Sequence, residues 1–197
     1  DQVLADFDLH PDYDFNLMKS GQTLTDITNR VLSEMAKVLP EVQPDMVLVH
    51  GDTSTTMAAA LAAFYQQIPV SHVEAGLRTW QKYNPFPEEM NRQITDDLAE
   101  LYFAPTEQSQ QNLLLEHHPA DRIVVTGNTA IDALQYTVTQ DFKHPVLDQI
   151  NNPDAKILLV TMHRRGNQGE QMQRALTAIK EVVEAQPEVE VIFPAHL

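Results

Sequence analysis

Residues 44–79 read PDMVLVHGDTSTTMAAALAAFYQQIPVSHVEAGLRT, and no other stretch constrains the fold as much. An apolar run, Met46 to Val49, meets a turn carrying Asp52 and the hydroxyl residues Thr53, Ser54, Thr55 and Thr56. An alanine-rich helical stretch follows, then a second apolar run ending in Glu74, Gly76 and Arg78. The pattern is strand, helix, strand, with polar chemistry at the end of each strand. Open parallel sheets bind ligands in the crevice outside the carboxyl ends of their strands. A carboxylate just after each of two neighbouring strands therefore marks a candidate site.

The rest of the chain repeats this alternation. Residues 1–9 read as the end of a helix and 10–16 as a loop. Over residues 21–39, Leu24, Ile27, Val31, Met35, Val38 and Leu39 fall near a 3.6-residue period, predicting an amphipathic helix ended by Pro40 and Pro44. A helix over 54–66, a strand over 68–73, and a long loop with Pro85 and Pro87 come next. Then follow a helix opening on Glu88 and Glu89, a strand at 101–105, a helix capped at Thr106, a strand at 122–127 and a helix at 129–138. Residues 139–155 lose periodicity and gather prolines and asparagines, so a linker is placed there. KILLVTMH, GEQMQRALTAIKEVVEAQ and VEVIFPAH form a last strand, helix and strand. Such alternation implies parallel sheets with right-handed crossovers and helices on both faces. The opening on a helix end, and the single βαβ unit after the linker, predict that segments at both ends of a longer protein lie outside this sequence.

Charge narrows the function. A formal net charge of −15 argues against a nucleic-acid surface, whose affinity comes from lysine and arginine neutralising phosphates. Arg78, Lys82, Arg92 and the group His163, Arg164 and Arg165 nevertheless gather at predicted strand ends, which points to a small anion site such as one diphosphate. The sequence has no cysteine, which excludes a disulfide scaffold and thiolate chemistry and fits a reducing compartment, the cytoplasm. No apolar run approaches the roughly 18 residues that span a bilayer, so no membrane is expected as a partner.

Each motif has a structural and a chemical reading. In HGDTSTT (50–56), Asp52, Thr53 or Ser54 caps the next helix, or the hydroxyls and helix start face an anionic ligand while Asp52 points into the crevice. In HVEAGLRT (72–79), an acid at the end of a buried strand is costly unless paired or functional, and Arg78 is a candidate partner for Glu74. In FPEEMNRQ (86–93), acids suit the first helical turn, and Glu88 with Arg92 forms an i,i+4 pair. GNTAID (127–132) reads as a turn with Thr129 as cap. TMHRRGN (161–167) places a histidine and two arginines between a strand and a helix, which suits phosphate binding or acid/base work, and His196 repeats the placement. Dinucleotide, nucleotide-triphosphatase and serine-hydrolase signatures are absent, and no metal-ligand spacing occurs. What remains is acid/base chemistry by carboxylates and a histidine on an anionic ligand.

HGDTSTT, HVEAGLRT, FPEEMNRQ, FAPT, GNTAIDAL and TMHRR occur in this order in the non-hydrolysing bacterial UDP-N-acetylglucosamine 2-epimerases, which the chain resembles over essentially all 197 residues. The resemblance implies two Rossmann-like α/β domains facing a cleft, as in B-type glycosyltransferases. Residues 1–145 would be most of the amino-terminal domain, lacking its first strand, and 146–197 the start of the carboxyl-terminal nucleotide-binding domain. It implies reversible epimerisation at carbon 2 of UDP-GlcNAc to UDP-ManNAc, with a homodimer, no cofactor, and UDP-GlcNAc also acting as an activator. Carried over by motif, Asp52, Glu74, Glu88 and His163 are the catalytic set, and Arg78, Arg92, Arg164 and His196 bind substrate. Gly166 stands where the family commonly has glutamate, which bears on a contact near the interdomain cleft. The 197-residue piece by itself is expected to be inactive. The alternatives are a hydrolysing epimerase releasing ManNAc and UDP, a glycosyltransferase of the same fold, and a non-catalytic regulator that binds nucleotide sugars.

Overall fold

The computed structural model describes residues 2–19, 21–150, 152, 154–162 and 169–194. Its elements in chain order are α1 (Gln2–Asp6), α2 (Leu24–Val42), β1 (Val47–His50), α3 (Ser54–Tyr65), β2 (Val70–Val73), α4 (Glu88–Leu98) and β3 (Leu101–Ala104). They continue with α5 (Glu107–Leu115), β4 (Ile123–Val125), α6 (Thr129–Thr137), β5 (Lys156–Leu159), α7 (Glu170–Ala185) and β6 (Val189–Ile192). The chain divides into compact units of residues 1–136 and 137–197.

In the first unit, β1, β2, β3 and β4 lie side by side in sequence order, all parallel. Register puts Val49, His72, Tyr102 and Ile123 in one row, and every member of that row is buried. Strands laid down in sequence order by crossovers of one hand carry all their helices on the same face. Accordingly α3, α4 and α5 cover this face, and α2 packs against α3. The opposite face carries Leu48, 63% exposed, and the row Val73, Phe103 and Val124, the last 46% exposed. Helices on both faces were expected; among the described residues one face is covered.

Side-chain size sets how closely the layers approach. Ala60, Ala62 and Ala63 of α3 are buried against Leu39 of α2 and against Val49 and Val70 of the sheet. With no side chain beyond a methyl group, α3 lies close on the strands. Pro40, expected to end α2, sits inside its last turn. There it forgoes only one backbone bond. The helix stops instead at Gln43, whose left-handed backbone (φ 49°) turns its N–H to the Leu39 carbonyl at 2.8 Å.

The second unit, taken by itself, is a βαβ piece: β5 and β6 pair in parallel from Lys156↔Val189 to Leu159↔Ile192, and α7 connects them.

Two devices in the first unit fix the long connection between β2 and α4. At its start, Gly76 has φ 81°, and a methyl group there would come within 2.2 Å of the Ser109 carbonyl oxygen of α5. Asn112 Nδ2 donates to the Gly76 carbonyl at 2.9 Å, so loop and helix are in direct backbone contact. Further along, the fully buried Glu89 accepts from Thr79 N–H at 3.0 Å, Trp80 N–H at 3.0 Å, Gln93 Nε2 at 2.9 Å and Arg92 Nε at 3.0 Å. Burial opposes its ionisation, but the bonds from Thr79 and Arg92 outweigh it and bring its pKa from 4.5 down to about 2.

Gly76→Ala is expected to lower stability by roughly 2 to 4 kcal/mol, combining overpacking with left-handed strain, measured as the urea midpoint. A carboxylate whose folded pKa lies below its unfolded one stabilises the fold above the unfolded value. Glu89 therefore contributes fully above pH 4.5, and its contribution fades as pH falls toward about 2. Glu89→Gln should cost about 3 kcal/mol at neutral pH by leaving Arg92 underpaired. It should also flatten the acid limb of the stability profile, read by denaturant melts across that range.

Candidate functional site

The carboxyl ends of β1 and β2 are neighbours, so the turns after them meet. At the first turn, Thr53 caps α3: its Oγ1 accepts from Thr56 N–H at 3.1 Å, and Thr56 Oγ1 donates to the His50 carbonyl at 2.6 Å. Of the candidate caps read from the sequence, Thr53 takes the role and leaves the Asp52 carboxylate uninvolved in capping. Asn91 Nδ2 donates to the Asp52 backbone carbonyl at 2.9 Å, and Arg92 Nη1 lies 3.3 Å from Asp52 Oδ2. Burial pushes the Asp52 carboxyl up from the ordinary range; the Arg92 charge opposes this and the Glu88 charge adds to it. A carboxyl with raised proton affinity in a crevice suits general acid or base work.

At the second turn, Glu74 adopts a left-handed backbone with φ 72°, unusual for a residue with a long side chain. A methyl group added at Gly51 would come within 3.3 Å of Glu74 Oε2, so the Glu74 carboxylate rests against the turn that carries Asp52. Glu88 stands in the first turn of α4, with Oε2 buried and without a hydrogen-bond partner among the described residues. A buried carboxylate oxygen left in that condition is costly, and a ligand supplying a donor would relieve it. Asp52, Glu74 and Glu88, expected from the sequence to act together, thus come together: Glu74 rests on Gly51 next to Asp52, and the Glu88 charge reaches Asp52.

The arginines have different ion-pair partners from those read in the sequence. Arg78 is not the partner of Glu74. Its side chain is fully buried, with Nε 2.8 Å from Glu116 Oε1 and Nη2 2.7 Å from Asp96 Oδ2, and a second contact runs to Glu116 Oε2. With its donors engaged by carboxylates, it has the geometry of a link between α4 and the end of α5. Arg92 pairs with Glu89 at i,i+3 and with Asp52, not with Glu88 at i,i+4. Long side chains reach whichever acid packing brings near, and spacing along one helix does not report an acid on another element.

GNTAID also joins this edge of the sheet. Asn128 Oδ1, and not Thr129, accepts from Ala130 N–H at 2.8 Å at the start of α6, while Thr129 Oγ1 lies 3.2 Å from His50 Nε2. His163, Arg164 and His196 lie outside the described residues. Reading by sequence missed Glu89 as an anchor, Asn91 as a contact to the Asp52 turn, and Asp96 and Glu116 as ion-pair partners. Asn91 and Glu89 fall within a motif that had been singled out. Asp96 and Glu116 carry no local signal, because their partners are 18 and 38 residues away. Among the described residues no cluster of histidine and carboxylates is arranged to hold a metal ion, and no described helix is long and apolar enough to cross a membrane.

Residues 1–197 match the family model described as UDP-N-acetylglucosamine 2-epimerase. A UDP-N-acetylglucosamine 2-epimerase of Bacillus subtilis is 54% identical over 197 residues, covering 100% of this chain and 51% of the relative. The crystal structure of a putative UDP-N-acetylglucosamine 2-epimerase from Listeria monocytogenes superposes with a TM-score of 0.92 at 52% identity, covering 100% of this chain and 51% of the other. The epimerase of Neisseria meningitidis bound to UDP-GlcNAc superposes with a TM-score of 0.92 at 46% identity, over 100% of this chain and 54% of the other. The chain spans about half the length of the relatives it matches. Match along the whole chain, together with three acids gathered at the ends of β1, β2 and the start of α4, leads to one conclusion: the chain belongs to the UDP-N-acetylglucosamine 2-epimerase family.

Proposed function

We propose that the whole protein interconverts UDP-GlcNAc and UDP-ManNAc without net hydrolysis. The observation that carries this reading is the gathering of Glu74 and Glu88 beside Asp52, with burial raising the proton affinity of Asp52. Inverting carbon 2 requires removing its proton from one face and returning a proton to the other, which needs acids on both sides of the sugar. In the forward direction a carboxylate of the set takes the carbon 2 proton. The electrons of that bond form the carbon 1–carbon 2 double bond, and the carbon 1–oxygen bond breaks to release UDP. The resulting 2-acetamidoglucal stays bound; UDP adds back to carbon 1, and a carboxyl on the opposite face delivers a proton to carbon 2. Atoms and electrons balance with no redox cofactor.

UDP-GlcNAc as substrate is supported by the relatives' names and by the neighbour bound to it. His163, Arg164 and His196 are proposed to meet the diphosphate, by their match to the family motif. Arg92 is proposed to act on the acids, since its guanidinium is held between Glu89 and Asp52. Arg78, expected to bind substrate, is proposed to hold the loop, because its side chain is fully buried on Asp96 and Glu116. A homodimer and a second, activating nucleotide-sugar site belong to the same reading.

The test uses the full-length protein with UDP-GlcNAc in deuterated water, following carbon 2 by NMR. Deuterium at carbon 2 together with UDP-ManNAc is expected. Free ManNAc and UDP would replace this reading with the hydrolysing reaction, and saturable binding without exchange would replace it with a regulator. Asp52→Asn, Glu74→Gln and Glu88→Gln should each lower kcat by about a hundred- to ten-thousandfold. Unchanged turnover in all of them would remove the carboxylates from the mechanism.

A further inference from the structure

His72 points away from the crevice, into the covered face of the sheet, and has no place in the proton transfers described above. It is completely buried in the middle of β2. Nδ1 lies 2.6 Å from Asp96 Oδ1, and Nε2 lies 2.8 Å from the carbonyl oxygen of Gly51. A carbonyl only accepts, and so does an ionised carboxylate. A neutral imidazole has a single N–H, so one of these short contacts would set lone pair against lone pair. An imidazolium satisfies both.

The surroundings favour the charged form. The other oxygen of Asp96 accepts from Gly76 N–H at 3.1 Å and from Arg78 Nη2 at 2.7 Å, an environment that keeps a carboxylate ionised. Burial works against the charge on Asp96, but His72 and Arg78 outweigh it and hold the carboxyl below its ordinary range. The charged groups about His72 come from four places: Asp96 on α4, Arg78 in the loop after β2, Glu116 just past α5, and Asp52 in the turn after β1. With His72 protonated, the set formed by the fully buried His72, Asp96 and Arg78 and the partly exposed Glu116 is electrically neutral. With His72 neutral, the set carries a net negative charge although three of its four side chains are fully buried.

The Gly51 carbonyl held by His72 belongs to the peptide that leads into Asp52. The Gly51 N–H is fixed as well, donating to the Val73 carbonyl at 3.0 Å. Gly51 is therefore gripped on both sides by β2, and the Glu74 carboxylate rests on it. The positive charge of His72 also favours the ionised form of Asp52.

We propose that His72 is a positioning residue of the acid/base site, held as an imidazolium between Asp96 and the Gly51 carbonyl. It fixes the peptide that aims Asp52 and lends Asp52 a buried positive charge. The proposal rests on the epimerase reading for its kinetic consequence and on geometry alone for the charge state.

The charge state is read in the full-length wild-type protein by nitrogen-detected NMR of labelled histidine. Both ring nitrogens of His72 should carry protons at neutral pH. A His72 signal with one bare nitrogen at that pH would overturn the proposal, whether or not the protein proves to be an epimerase. The kinetic consequence is read in His72→Gln, whose amide keeps a donor toward Gly51 and removes the charge. We expect KM to change little and kcat for carbon 2 exchange to fall by about ten- to a hundredfold. We also expect the limb of the kcat profile that reports Asp52 to move to higher pH, since Asp52 loses a favourable charge. A residue that merely fills the core would leave that limb in place. An unmoved limb with unchanged kcat would therefore overturn the positioning role, while absent exchange in the wild type would count against the epimerase reading alone.

Discussion

The first unit depends on one buried carboxylate. Asp96 receives His72 from the central strand, the Gly76 N–H from the turn that follows it, and Arg78 from the loop beyond. A strand, a turn and a loop are thus held to a helix at one carboxylate with both oxygens satisfied. A buried ion pair adds little net stability over an apolar replacement, because desolvation consumes most of the attraction. What it provides is geometry, since a carboxylate accepts only from donors placed along its lone pairs. The turn after β2 is thereby locked to α4 and, through Gly76 and Asn112, to α5.

Glu89 does for the far end of the same loop what Asp96 does for its start. Its oxygens collect the Thr79 and Trp80 amides, and Arg92 passes the attachment on to Asp52. The three crevice acids thus stand on the three backbone pieces that these two buried acids fix: the turn after β1, the turn after β2, and the first turn of α4. This division of labour separates acids that are satisfied and ionised from acids that are frustrated. Glu89 is held to about 2 by donors, whereas Asp52 is raised by burial and Glu88 has an oxygen without a donor.

Much of this was legible in the chain. The apolar runs of 4 to 6 residues, each followed by polar turn chemistry and a helical period, gave every strand and helix of the parallel sheet. Asp52 and Glu74 were readable because each directly follows a strand, and parallel strands bring such positions to one edge. Glu88 was ambiguous in its own sequence, where the helix dipole accounts for it equally well, and only the family resemblance marked it. The partners of the arginines were read wrongly where spacing alone was used. Arg78 was offered to Glu74 and Arg92 to Glu88, and packing gave them to Asp96, Glu116, Glu89 and Asp52 instead.

Sequence by itself determined the element types, the parallel pairing and the edge of the sheet where chemistry gathers. These follow from periodicity and from the handedness of crossovers, which are local properties of the chain. Tertiary structure alone decided which acids are satisfied and which are strained, and that His72 faces two acceptors in the core. Proton affinity depends on burial and on charges brought from 18 to 40 residues away, and no local pattern encodes that proximity.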